Sequence, residues 1–295
     1  MKNTVFQGMA TALITPMTTT GSVDYDALAR LIEFQIEEGI HALVAVGTTG
    51  ESATLSNQER ADVIRFVVQR VQGRVPVIAG TGTNQTDVVI DHTKRAQDAG
   101  ADGFLVVTPY YNKATQGGLI AHYTMVADAA EKPVILYNVP SRTGCNIAPD
   151  TVAKLAQHPN IVGIKEASGS MAQVVEIFAK CSDKIDVYSG EDALTVPMLS
   201  MGGKGCISVV SNVAPKLAAK MYDTFAAGDV AGAAQLQCRL LPLIQGLFSE
   251  VNPIPAKAAM AMLGFGSDYL RMPLTVAEPA TKKRLEQAMK DLGVL

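Results

Sequence analysis

Eight short apolar runs, each followed by a longer helical pattern, constrain the fold of this 295-residue chain more than any other feature. The runs are rich in β-branched residues, and the segments between them repeat apolar residues with the 3.6-residue period of a helix. Asp24 and Ser56 stand where two helices should begin, and Glu59 completes a capping box with Ser56. The predicted strands cover about residues 9–14, 42–46, 75–79, 103–107, 133–137, 161–165, 185–188 and 205–209.

The composition of these strands favours a closed parallel barrel. Runs such as VPVIAG, GFLVVTP and IVGIKEAS are apolar almost throughout, as expected of strands covered on both faces. Strands joined through helices pair in parallel, and a doubly wound open sheet more often ends at five or six strands. We therefore predict an α/β fold, a (β/α)8 TIM barrel over residues 1–226, with a C-terminal helical extension over residues 227–295.

Charge and composition exclude several classes of function. The formal net charge is -3 and no long run of Lys and Arg occurs, so we expect neither nucleic-acid nor membrane-surface binding. No apolar stretch reaches membrane length, and polar residues interrupt the first segment, MKNTVFQGMATALITPM, which predicts a cytoplasmic protein. The four Cys and four His are dispersed without metal-ligand spacing, so the cysteines should be reduced and no bound metal is expected.

Two glycine-rich turns follow predicted strands. GTTGES (47–52) and GTGTN (80–84) could each bind an anion through backbone N–H groups. Neither matches a P-loop or a complete dinucleotide fingerprint. We therefore expect no nucleotide cofactor and favour a small carboxylate as the ligand.

Lys165 is the most informative residue, because it ends an otherwise apolar strand in NIVGIKEASG. By the two-residue period of a strand, its side chain should point into the mouth of the barrel, where barrel enzymes keep their active sites. Desolvation disfavours an ammonium, and a neutral amine can add to a carbonyl and lose water to form a Schiff base. The alternative is a structural ion pair with a carboxylate such as Glu166 or Glu191.

Tyr137 and Arg142 follow the fifth strand in YNVPSRTG. Forming an imine requires several proton transfers, and the phenol of Tyr137, on the strand next to that of Lys165, can donate and accept them together with the threonines of GTTG. Arg142 lies five residues farther on, where it could hold a substrate carboxylate or form a structural salt bridge. In TPYYN, Tyr110 and Tyr111 are adjacent rings that cannot both fill one pocket, so one of them could project toward another subunit.

Four motifs in this order, GTTGES, TPYYN, YNVPSRTG and GIKEASG, closely resemble the dihydrodipicolinate synthase family over essentially the whole chain. The resemblance implies a tetramer of two tight dimers that condenses pyruvate with L-aspartate 4-semialdehyde. It implies an imine between pyruvate and Lys165, and a proton relay of Tyr137, Thr48 and Tyr111, the last from an adjacent subunit. The implied substrate contacts are Thr49, Arg142, Gly190 and Ile207, with Arg142 guiding the carboxylate of the aldehyde.

Two other functions stay open at this point. N-acetylneuraminate lyase and related keto-acid aldolases resemble the chain at Lys165 and Tyr137. They typically have a different residue in place of Thr48 and lack the arginine that this chain has as Arg142. A barrel that only binds a keto acid would be a non-catalytic alternative, although such proteins usually lose a relay group and none is missing here.

The resemblance also bears on feedback inhibition by lysine. Ser52, Ala53, Asn84 and Tyr110 match the allosteric lysine site of feedback-sensitive relatives. The two positions usually held by His are Asn57 and Arg60, and the acidic position is Val88. A ligand ammonium without a counter-charge is costly to bury, so weak inhibition or none is expected.

Overall fold

The structure, a computed structural model, describes residues 4–295. All eight strands pair in parallel and in chain order, and β8 pairs with β1, so the sheet closes into a barrel. The predicted (β/α)8 class is confirmed, and the strand ends differ from the predicted ones by at most two residues. The strands are β1 Gly8–Ala12, β2 Ala42–Ala45, β3 Val77–Gly80, β4 Gly103–Val107, β5 Val134–Asn138, β6 Ile161–Glu166, β7 Asp186–Ser189 and β8 Gly205–Ser208.

Helices surround the barrel, and two of their predicted starts are confirmed in detail. The Asp24 side chain accepts from the Ala27 N–H, and Ser56 and Glu59 form the reciprocal capping box. The helices are α1 Tyr25–Glu37, α2 Asn57–Val71, α3 Thr86–Asp98, α4 Gln116–Ala129, α5 Pro140–Thr143, α6 Pro149–Leu155, α7 Met171–Cys181, α8 Thr195–Ser200, α9 Pro215–Ala226, α10 Val230–Leu247, α11 Ile254–Met262 and α12 Pro279–Leu292. None of these helices, within residues 4–295, has both the length and the apolar character required to cross a membrane.

Two apolar clusters form the core. The larger one lies between the strands and the helices, and the smaller one fills the barrel with side chains such as Ala10, Val44, Ile78 and Leu105. Successive strand residues contribute to opposite clusters, which explains why the strands are apolar throughout. The filled interior leaves the carboxyl ends of the strands as the place for a site.

The last three helices begin after residue 226. Helix α10 packs against α9, α8 and α12, and α11 packs against α12. Two side chains of this region, Asn252 and Lys257, contact the turn that follows β2. The division into a barrel of residues 1–226 and an extension of residues 227–295 stays a prediction.

Candidate active site

A cavity of about 960 Å³ opens at the carboxyl ends of the strands. Strands β2, β5, β6 and β7 and the loops after them direct side chains to it, because the carboxyl ends of parallel strands meet at one face of a barrel. Five of the residues predicted from the sequence line this cavity: Lys165, Tyr137, Thr49, Arg142 and Gly190.

Lys165 and Tyr137 lie side by side in the barrel. They are register partners of β6 and β5, and the Lys165 Nζ lies 4.3 Å from the centroid of the Tyr137 ring. Lys165 is only 5% exposed. The adjacency of the two strands therefore brings the amine and the phenol together, as the sequence predicted.

Neither candidate carboxylate pairs with Lys165. Glu166 points away from it and accepts hydrogen bonds from Asn138 Nδ2, the Ser168 N–H and Gln173 Nε2. Within residues 4–295, no Asp or Glu oxygen lies within 4.0 Å of the Lys165 Nζ. The lysine is thus available for chemistry rather than tied in an ion pair.

Arg142 also lacks a structural partner in the part of the chain that the structure describes. It stands in the short helix α5, is exposed, and has no carboxylate oxygen within ion-pair distance. Its guanidinium therefore remains available to a ligand in the cavity.

Gly190 is required for packing against Lys165. A Cβ at this position would lie 2.6 Å from the Ala167 side chain and 2.9 Å from Lys165 Cε. Any side chain here would displace the lysine, so the sequence must keep glycine at the end of β7. A substrate contact by Gly190 stays a prediction.

Thr48 and Ile207 do not line the cavity of Lys165. Thr48 lines a neighbouring cavity of about 550 Å³, and both cavities share Arg142, Val139 and Asn252. No hydrogen bond joins the Thr48 and Tyr137 hydroxyls in the described residues. Ile207, on β8, is buried in the same interior cluster as Tyr137.

Tyr111 lies outside both cavities of its own chain. Its ring is 90% exposed, and its backbone adopts a left-handed conformation with φ +69°. A bulky residue in this conformation costs on the order of 1–3 kcal/mol and persists only where the surrounding structure holds it there. The loop therefore holds the phenol away from its own barrel.

The sequence did not reveal the contacts that support the turn Gly47–Glu51. Glu51 and Lys257 form a fully buried ion pair at 2.7 Å, and Lys257 also donates to the Thr15 carbonyl at 2.8 Å. The Asn252 Nδ2 donates to the Thr49 Oγ1 at 2.9 Å. No local sequence signal indicates that these distant residues are partners of the turn.

Asp192 is a second group that sequence reasoning missed. Its Oδ2 accepts from the N–H groups of Val209 and Val210, both at 2.9 Å, which fixes the chain just after β8. Burial raises the pKa of Asp192, and hydrogen bonds together with the positive charge of Lys165 oppose this rise. The carboxyl thus holds in place Val209, which lines the cavity of Lys165.

The model of the dihydrodipicolinate synthetase family matches residues 5–292 of the chain. The chain belongs to this family. The dihydrodipicolinate synthase family predicted from the four motifs is thereby confirmed.

Relatives within the dihydrodipicolinate synthetase family match over their full length. The chain is 51% identical over 291 residues to the 4-hydroxy-tetrahydrodipicolinate synthase of Trichlorobacter lovleyi, covering 99% of this chain and 100% of that one. A dihydrodipicolinate synthase structure from Acinetobacter baumannii, complexed with pyruvate, has a TM-score of 0.97 and 43% identity, with coverage of 99% and 100%. The enzyme from Cyanidioschyzon merolae, with lysine bound, has a TM-score of 0.96 and 42% identity, with coverage of 99% and 100%.

Proposed function

We propose that the chain condenses pyruvate with L-aspartate 4-semialdehyde to 4-hydroxy-tetrahydrodipicolinate, in lysine and diaminopimelate biosynthesis. The single observation that carries this proposal is Lys165, a buried amine with no carboxylate partner in the described chain, which lies against Tyr137 in a cavity shared with Arg142. The name that the full-length relatives share, 4-hydroxy-tetrahydrodipicolinate synthase, agrees with the synthase activity predicted from the motifs.

Each step of the proposed reaction can be written with the two substrates and Lys165 alone, without a cofactor. The Lys165 amine adds to the pyruvate ketone, and loss of one water gives an imine that acidifies the methyl group. Loss of a methyl proton gives an enamine, whose carbon attacks the aldehyde to form the new C–C bond, and the resulting alkoxide takes up a proton. The amino group of the second substrate, once it has lost a proton, then attacks the imine carbon, which closes the ring and releases the Lys165 amine.

The residue roles follow from what each side chain can supply. The Tyr137 hydroxyl, with Thr48 and Tyr111, would carry protons to and from the imine. Thr49, Gly190 and Ile207 would contact pyruvate, and Arg142 would bind the carboxylate of the aldehyde substrate in a two-point contact. A cytoplasmic location is part of the same proposal.

Activity measured with pyruvate and a panel of aldehydes tests the proposed substrates. L-aspartate 4-semialdehyde should give the highest kcat/KM of the panel. A clear preference for N-acetylmannosamine would assign the chain to the lyases, and no turnover with any aldehyde would favour a keto-acid-binding protein.

Tyr137→Phe should lower turnover by about a hundredfold or more, because it keeps the ring and removes only the hydroxyl that transfers protons. Tyr222→Phe, which removes a hydroxyl on α9, is the matched control and should keep full turnover. Thermal denaturation should show that both variants are folded. Near wild-type turnover of Tyr137→Phe would show that the protons travel by another route.

The exposed position of Tyr111 supports a site completed by a second subunit of a homotetramer built from two dimers. Tyr111→Phe subunits and Lys165→Ala subunits should each be inactive or nearly so. Mixed dimers should recover activity, because one of their two sites would then hold both an intact lysine and an intact tyrosine. Absence of recovery in verified mixed dimers would place Tyr111 in the site of its own subunit.

Free lysine should inhibit the enzyme weakly or not at all. Val88 and Arg60 line the smaller cavity, where burial lowers the pKa of Arg60 to about 10, so it stays cationic at neutral pH. Glu51 cannot replace the missing acid, because its carboxylate accepts from Lys257 and from the Arg271 N–H. Steady-state assays with lysine up to tens of millimolar check this, and strong inhibition at submillimolar lysine would contradict it.

A further inference from the structure

Asn252 has a buried acceptor without a donor. The residue is 5% exposed and lines both cavities, and its Nδ2 donates to Thr49. Its Oδ1 has no hydrogen-bond partner within residues 4–295. An unpaired buried amide oxygen is unfavourable, so this atom, on a residue that lines both cavities, points to a donor supplied by a ligand.

Glu191 is a second acceptor at the larger cavity. It follows Gly190 at the end of β7 and is half-buried, and its hydrogen bonds with Ser189 use only the Glu191 main chain. In the described part of the chain, no Lys, Arg or His nitrogen lies within 4.0 Å of its carboxylate. Burial, and then the charge of Asp192, raise the pKa of Glu191, as expected of a carboxyl without a counter-charge.

The second substrate of the proposed reaction, L-aspartate 4-semialdehyde, has one group to which no residue has yet been assigned. Its aldehyde reacts at the enamine formed on Lys165, and its carboxylate is assigned to Arg142. Its α-ammonium group carries three N–H donors and a positive charge, whereas pyruvate carries no donor at all. An amide oxygen and a carboxylate at the same cavity match the ammonium and not pyruvate.

We propose that the Asn252 Oδ1 and the Glu191 carboxylate bind the α-ammonium group of the aldehyde substrate. This proposal rests on the proposed function, because it concerns the second substrate of that reaction. Asn252 then acts through both ends of its amide: Nδ2 holds the Thr49 hydroxyl, and Oδ1 receives the ammonium. Together with Arg142, the two acceptors select an α-amino acid rather than a simple aldehyde acid.

The test compares L-aspartate 4-semialdehyde with 4-oxobutanoate, which has the same aldehyde and carboxylate but no amino group. We measure the KM of the substrate and the inhibition constant of 4-oxobutanoate in the wild type, Glu191→Gln and Asn252→Leu. Each variant should raise the KM by about ten- to a hundredfold, as expected for losing a hydrogen bond to a charged group, and should change the inhibition constant less than twofold.

Two further variants distinguish the loss of ammonium recognition from general damage to the active site. Asn252→Asp keeps an acceptor at this position and should retain a KM within a fewfold of wild type. Glu250→Gln is the matched control for Glu191→Gln, because Glu250 borders the same cavity but its carboxylate accepts from the Glu278 N–H. It should behave as wild type.

The outcomes distinguish this proposal from the proposed function. Borohydride trapping of pyruvate should remain in Glu191→Gln and Asn252→Leu, since Lys165 is intact. If trapping remains but the variants weaken substrate and 4-oxobutanoate equally, or weaken neither, the ammonium site is wrong and the proposed function stands. If pyruvate is not trapped on the wild type, the proposed function and this inference both fail.

Discussion

Lys165→Arg is expected to lower turnover by on the order of 10⁴-fold or more, because the covalent route is lost rather than weakened. A guanidinium stays protonated at neutral pH and is no nucleophile, so no imine can form. The change keeps a long basic side chain in the cavity, so a loss of activity reflects the chemistry of the amine. A steady-state assay with both substrates measures the effect.

Lys154→Arg is the matched control for this substitution. Lys154 lies on α6 with its side chain exposed, and the change should leave turnover unaltered. The pyruvate adduct should likewise disappear in Lys165→Arg and persist in the control. Turnover of Lys165→Arg within tenfold of wild type would show that catalysis does not use the amine.

Lys257→Met should destabilise the protein by about 3–5 kcal/mol, the usual cost of removing one partner of a buried ion pair. Lys257 is fully buried and Glu51 is 4% exposed, so the substitution would leave a buried carboxylate without its cation. Methionine has a similar unbranched shape, so little of the loss should come from packing. Urea denaturation, followed by circular dichroism, measures the change.

Two comparisons make the Lys257→Met result specific. Lys216→Met removes an exposed lysine that is 3.8 Å from Glu38, and it should cost less than about 1 kcal/mol. The double variant Glu51→Gln with Lys257→Met should recover part of the stability, because it removes the unpaired charge. A Lys257→Met protein as stable as Lys216→Met would show that the pair does not stabilise the turn that carries Thr48 and Thr49.

The sequence predicted the barrel because the strands are covered on both faces, and because α1 and α2 carry start signals at Asp24 and Ser56. Because β5 and β6 follow each other along the chain, the sequence also predicted that Tyr137 and Lys165 lie together. The register of these two strands makes the two residues direct partners. Lys165 was recognisable because a lysine at the end of an apolar strand has no solvent-exposed face to explain it.

The supporting contacts could not be predicted, because they join distant parts of the chain. Asn252 contacts a residue 203 positions away, and Lys257 contacts one 206 positions away. Neither segment carries a periodic pattern that indicates the turn after β2 as its partner. Whether the Asn252 Oδ1 finds a hydrogen-bond donor depends on how the side chains around it pack. No local pattern in a single sequence indicates that packing.

Trapping the pyruvate imine shows directly whether Lys165 forms the covalent intermediate. The protein is incubated with pyruvate and borohydride, digested, and analysed by peptide mass spectrometry. We expect one reduced pyruvyl group per chain, on the peptide that contains Lys165 and on that lysine. An adduct on a different lysine, or no adduct on a folded protein that still turns over its substrates, would show that catalysis does not proceed through an imine at Lys165.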